Sequence, residues 1–135
     1  MSASQRIVLM SAGTVITGSQ GPGSGVPVAS LSMLEVHVNI TAVSGTTPKL
    51  TLRLVCSADA GTVFIPRAYD RLVVAPALPA DAPAFVDKVN ICQEVAAVSK
   101  FWALFKELPA DLVGIETLVS GTNPSFTMGV TAVGK

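Results

Sequence analysis

His37 is the single histidine of this chain, and Glu35 stands two residues before it. On a strand, positions two apart share a face. The pair could therefore hold one side of a metal ion or shuttle a proton. No third ligand is spaced to join them, and Cys56 and Cys92 lie far off in the chain. An ordinary surface or interface pair is the preferred reading. Asp59, Asp70, Asp81, Asp87 and Asp111 are spread among turn-like stretches and form no closely spaced calcium loop. Two carboxylates can meet in space as a glycosidase pair. Such a site usually brings aromatic platforms, and Trp102 and Tyr69 are the sole Trp and Tyr. No Gly-x-Ser-x-Gly elbow occurs, and one histidine gives a Ser/His or Cys/His site little support. No catalytic, cofactor-binding or metal-ligating residue is assigned, and the chain is expected not to be an enzyme.

Three further features could bind without reacting. Phe101, Trp102 and Phe105, with Lys100 and Lys106 beside them, could grip a sugar or a base. Packing in a core or at a subunit contact is the preferred alternative. Residues 18–25, Gly-Ser-Gln-Gly-Pro-Gly-Ser-Gly, are rich enough in glycine to cradle phosphate, but the Lys-Ser or Lys-Thr of a P-loop does not follow. They read as a flexible surface loop or arm. Cys56 and Cys92 could form one bridge. With no secretory signal evident, two buried thiols are the simpler reading, and the Asn39-Ile40-Thr41 sequon carries no weight.

The chain has 135 residues, enough for one domain that buries a core without disulfides or metal. Half the residues are apolar, mostly Val, Ala, Leu and Ile, and nine bases balance nine acids. A neutral, sparsely charged chain lacks the basic face that nucleic acid or an anionic membrane would require. It also lacks the charge that keeps free monomers apart, which suggests a surface covered by neighbours. No apolar run reaches transmembrane length. Synthesis and use in the cytosol are expected.

The elements are read from periodicity. A strand is expected near 6–16. Leu34, Val36, Val38, Ile40 and Ala42 alternate with Glu35, His37, Asn39 and Thr41, which marks a strand over 31–43 with one buried face. Ser44-Gly45-Thr46-Thr47-Pro48 reads as a hairpin turn, with Leu50, Leu52 and Leu54 returning along the neighbouring strand. Ser57 to Gly61 reads as a second turn, and Val63-Phe64-Ile65 as the start of a strand. Residues 66–88 form an extended Pro/Ala-rich loop with at most one strand, Arg71 to Ala75. Residues 89–97 and 100–107 are expected as strands, with a short helix within 93–106 as the alternative. Leu108 to Asp111 is a turn, Val113 to Val119 a strand, and Phe126, Met128, Val130 and Ala132 the inward face of the last strand. About eight strands predict an all-β fold: an antiparallel β-sandwich or jelly roll with an extended N-terminal arm or loop.

One phrase occurs twice. Thr41-Ala-Val-Ser-Gly-Thr-Thr-Pro-Lys-Leu-Thr51 returns as Thr117-Leu-Val-Ser-Gly-Thr-Asn-Pro-Ser-Phe-Thr127 in the same register. These segments resemble small structural proteins of tailed bacteriophages, which pair an ITAVSGTTPTL-like hairpin with a terminal GTNPSFTFxVT-like strand. The resemblance spans 34–57 and 113–135. In the middle, relatives of that kind carry a Trp-containing segment after a Ser-x-Asp-Gly turn, where this chain has Ser57 to Gly61 and then Phe64-Ile65-Pro66. The layout is also similar to that of capsid cement proteins.

The resemblance implies a non-enzymatic virion protein. The expected function is capsid decoration on the virion surface, with the major capsid protein and copies of the chain itself, a trimer favoured, as partners. Bridging is expected from residues 1–6, 18–30 and 76–84. A neck, collar or tail component of the same virion is the alternative. A carbohydrate-binding module using Phe101-Trp102 is the competing class.

Overall fold

The computed structural model describes residues 5–75, 90–108 and 111–135. Among them are eight strands and no helix: β1 (Gln5–Ile16), β2 (Val26–Pro27), β3 (Leu34–Ser57), β4 (Ile65–Pro66), β5 (Arg71–Ala75), β6 (Asn90–Val95), β7 (Ser99–Phe105) and β8 (Leu112–Gly134). All pairings are antiparallel. The order is β1-β8-β3-β7-β5, with β2 on β8 and with β4 and β6 on β3. The expected all-β antiparallel class is the observed one, and the helical alternative for 93–106 is not.

The two Ser-Gly-Thr-x-Pro segments are not hairpin turns. β3 runs straight through the first copy and β8 through the second, and the two copies pair with each other. Ser44 lies opposite Ser125, Thr46 opposite Thr122, and Lys49 opposite Ser120. The first and last of these pairs exchange under the sequence repeat, and the middle pair maps onto itself. The two copies are therefore related by a local two-fold beside Thr46 and Thr122. The register slips on either side of that pair, as bulges do.

Gly45 and Gly121 have φ of 109° and 116°. A Cβ on Gly45 would stand 2.6 Å from the Asn123 carbonyl oxygen, and one on Gly121 would stand 2.7 Å from that of Thr47. Both positions need glycine for conformation and for closeness. The hairpin expectation failed because Ser, Gly and Pro mark a bulge as readily as a turn. Only the long-range partner decides between them.

This crossing divides the sheet into two halves. In the first, residues 34–43 and 126–134 of the two long strands join β1, β7 and β5. In the second, residues 49–57 and 112–120 join β2, β4 and β6. Leu34, Val36, Val38, Ile40, Phe126, Met128, Val130 and Ala132 of the first half belong to the same core cluster as Leu50, Leu52, Leu54, Val113 and Ile115 of the second. The sheet is thus folded over one core, with two strands continuous between the layers. Burying each of these side chains larger than alanine contributes roughly 1.5–3 kcal/mol, which holds the register on both sides of the fold. Ala42, expected inside, is exposed because the register slips after Ile40.

The 18–30 loop is laced to β8 instead of standing free. Gln20 and Thr117 exchange backbone hydrogen bonds of 3.0 and 2.9 Å. The Val119 amide donates to Ser19 Oγ at 2.9 Å. The buried Val28 donates its amide to the Asp111 carbonyl. Residues 5 and 6 of the expected arm belong to β1. Residues 1–4 and 76–84, and most of the Pro/Ala-rich loop, lie outside the described residues. The turn after β3 is as expected. Gly61 donates its amide to Ser57 Oγ at 2.9 Å, and Ser57 Oγ donates to Asp59 Oδ1 at 2.7 Å.

Candidate functional site

β7 alternates as a strand should. Phe101, Ala103 and Phe105 enter the core. Lys100, Trp102 and Leu104 therefore face the other way. The supposed aromatic stripe is split: its phenylalanines pack the interior, and Trp102 alone stands on the outer face, half-buried.

Register then assembles two rows across five strands. One runs Val8, Thr131, His37, Trp102, Val73 by backbone position; the other runs Arg6, Val133, Glu35, Leu104, Arg71. Adjacent members of a row share a face, and diagonal neighbours come within reach of long side chains. His37 Nε2 lies 2.7 Å from Glu35 Oε1. The His37 and Trp102 rings stack with centroids 6.4 Å apart and planes at 27°. The Arg71 guanidinium lies over the indole, 5.7 Å from its centroid. Beside the indole, an open recess of about 230 Å³ is lined by His37, Val38, Asn39, Lys100, Phe101 and Trp102.

His37 and Glu35 thus form the pair that their spacing suggests, but their next neighbour is an aromatic ring and not a ligand. Among the described residues no group of three or more His, Cys, Asp or Glu is placed to hold a metal ion. The described aspartates serve turns and loops. Asp59 accepts from Ser57 Oγ and from the Val63 amide, and those bonds hold its carboxyl below the usual aspartate range. Asp70 accepts the Lys106 amide at 2.7 Å, and Asp111 donates its amide to the Ser57 carbonyl. Asp81 and Asp87 lie outside the described residues.

Cys56 and Cys92 are both free thiols. Cys92 is buried on β6 and donates to the Leu50 carbonyl at 3.3 Å. Burial pushes its pKa up to about 12. Burial also raises that of Cys56, with Arg67 opposing. Neither carries appreciable thiolate at neutral pH, so neither has the character of a nucleophile.

Arg71 was not singled out by sequence reasoning. Its place over Trp102 depends on the register between β5 and β7, which no local pattern encodes. The outward direction of Trp102 was readable, since a period of two over 99–105 sends it opposite to Phe101 and Phe105.

The arrangement offers a broad sheet face with one aromatic anchor, a few cations and exposed valines. Compared with known proteins, the chain matches no family model, no curated protein and no solved structure.

Proposed function

We propose that the chain is a non-enzymatic structural protein of a tailed-bacteriophage virion, a capsid decoration protein that stabilises the head by bridging major capsid subunits. The observation that carries this reading is the crossing of the two Ser-Gly-Thr-x-Pro segments. The segments that resemble phage structural proteins are the ones that lock the two layers together, behind a broad outer face bearing exposed Val8 and Val133. A stiff body with a wide contact face suits work done by binding alone. Many copies on a shell, each linked to more than one neighbour, would add weak contacts into strong cohesion.

The test is to delete the gene, purify the particles and heat them. Early loss of the genome, restored by adding back the protein, is the expected result. Particles as heat-stable as intact ones would defeat the proposal. Placement in the neck, collar or tail is separated by copy number. A shell protein is present on the order of hundreds per particle, and a ring component at about six or twelve.

A further inference from the structure

We infer that the outer face of β1, β8, β3, β7 and β5 is a docking surface for an acidic segment of a partner protein, anchored on Trp102 and Arg71. The inference rests on the reading of the chain as a virion bridging protein and names the face that does the bridging.

Three observations point to this occupant. Two half-exposed valines stand among the polar residues of the face, Val8 at 49% and Val133 at 42%, one row apart on neighbouring strands. Exposed side chains of this kind give a partner apolar ground to cover beside the charged groups. Next, its charge is one-sided. Arg6, Arg71 and Lys100 are exposed cations. Glu35 is the acid among them, and His37 already engages it at 2.7 Å. Among the described residues no carboxylate pairs with Arg6, Arg71 or Lys100. Cations gathered on one face of a chain with no net charge favour an acidic partner, which they would steer and orient. Third, Trp and Arg are the residue types that most often dominate interface energetics. Here they are stacked together before any partner arrives, so little side-chain freedom remains to be lost on docking.

A saccharide fits less well. Sugar rings lie against an open aromatic face, and this indole is already engaged by His37 and by the Arg71 guanidinium.

The test uses virions made without the protein. The purified chain is added back and its retention on the particles is measured by sedimentation. Trp102→Ala and Arg71→Glu are each expected to weaken retention about thirtyfold or more. Lys100→Glu should weaken it less. Leu118→Glu, exposed on the other half of the sheet, should leave it unchanged. Unfolding midpoints close to that of the parent chain establish that each variant is folded. If the parent chain rebinds and the Trp102 and Arg71 variants rebind equally well, the docking face is wrong while the structural function stands. If Leu118→Glu is as damaging as they are, the assignment to this face is likewise wrong. If the parent chain does not rebind, the bridging function falls and this inference falls with it. Capture of a glycan that depends on Trp102, without loss of particle binding in Trp102→Ala, would overturn the inference in favour of a sugar site.

Discussion

Thr47 and Asn123 occupy equivalent places in the two copies of the repeat and have nearly the same left-handed backbone, with φ of 47° and 50°. Asn tolerates that region, whereas a β-branched residue there is strained. Thr47→Asn is therefore expected to stabilise the protein by up to about 1 kcal/mol, read as a higher urea midpoint at unchanged slope. Gly45→Val and Gly121→Val should do the reverse. Each combines a left-handed backbone with a carbonyl oxygen at 2.6 or 2.7 Å from the new Cβ. A loss of at least about 1–3 kcal/mol is expected for each, from backbone strain alone. Asp59 sets a pH dependence. Its folded pKa lies below the ordinary value. Its contribution is thus present above the unfolded aspartate pKa, near 3.9, and is lost as pH falls through the lower folded value. The melting temperature of Asp59→Asn should accordingly fall less steeply in acid than that of the parent chain. Cys92 works at the other end. Its folded pKa of about 12 lies above the ordinary thiol value. Its contribution is intact below the unfolded thiol pKa, near 8.5, and is lost as pH rises from there toward the folded value. At neutral pH a thiol reagent should label neither cysteine rapidly until denaturant is added.

Among the elements, the strands that alternate cleanly were legible from their residues alone. The first half of β3 and the end of β8 lie where alternation places them, β1 where two short apolar runs place it, β5 on the one stretch of the Pro/Ala-rich region that could form a strand, and β7 where alternation and a helical spacing fitted equally well. Alternation is a local consequence of burying one face of a pleated ribbon, so local sequence carries it. The crossing was not legible in the same way. Gly45 and Pro48 satisfy the chemistry of a hairpin loop, and what makes them a bulge is the second copy lying alongside, some 76 residues later by the arithmetic of Thr41 and Thr117. The lacing of the Gly-rich loop was hidden for a related reason. Its composition describes freedom, while its hydrogen bonds come from Thr117 and Val119 on a distant strand. Thr117 is buried, and its Oγ1 accepts the Gln20 amide at 2.9 Å. Thr117→Val should cost about 1 kcal/mol and should speed hydrogen exchange at the Gln20 amide more than at core amides of β3. At the candidate site the parity of Trp102 and the His37–Glu35 spacing were readable. The row that joins them to Arg71 was not, because register between separate strands is a tertiary property.

For the molecule as a whole, the two layers share one core and two backbones. Neither layer can open without exposing side chains of the other, so unfolding is expected to be a single cooperative event. Far-ultraviolet circular dichroism and Trp102 fluorescence should give coincident urea transitions, although Trp102 reports only on the first half. Leu52→Ala in the second half and Met128→Ala in the first should each lower stability by about 2–5 kcal/mol while keeping the two probes together. Separate transitions would mean that the layers are independent.

Most sandwiches transmit tension from one layer to the other through a connecting loop. Here β3 and β8 cross between the layers side by side, in opposite directions, bonded to each other along the way. A pull that tries to peel the layers apart is met by two taut backbones and by a ladder loaded in shear. The body should stretch like a braided strap before it opens like a book.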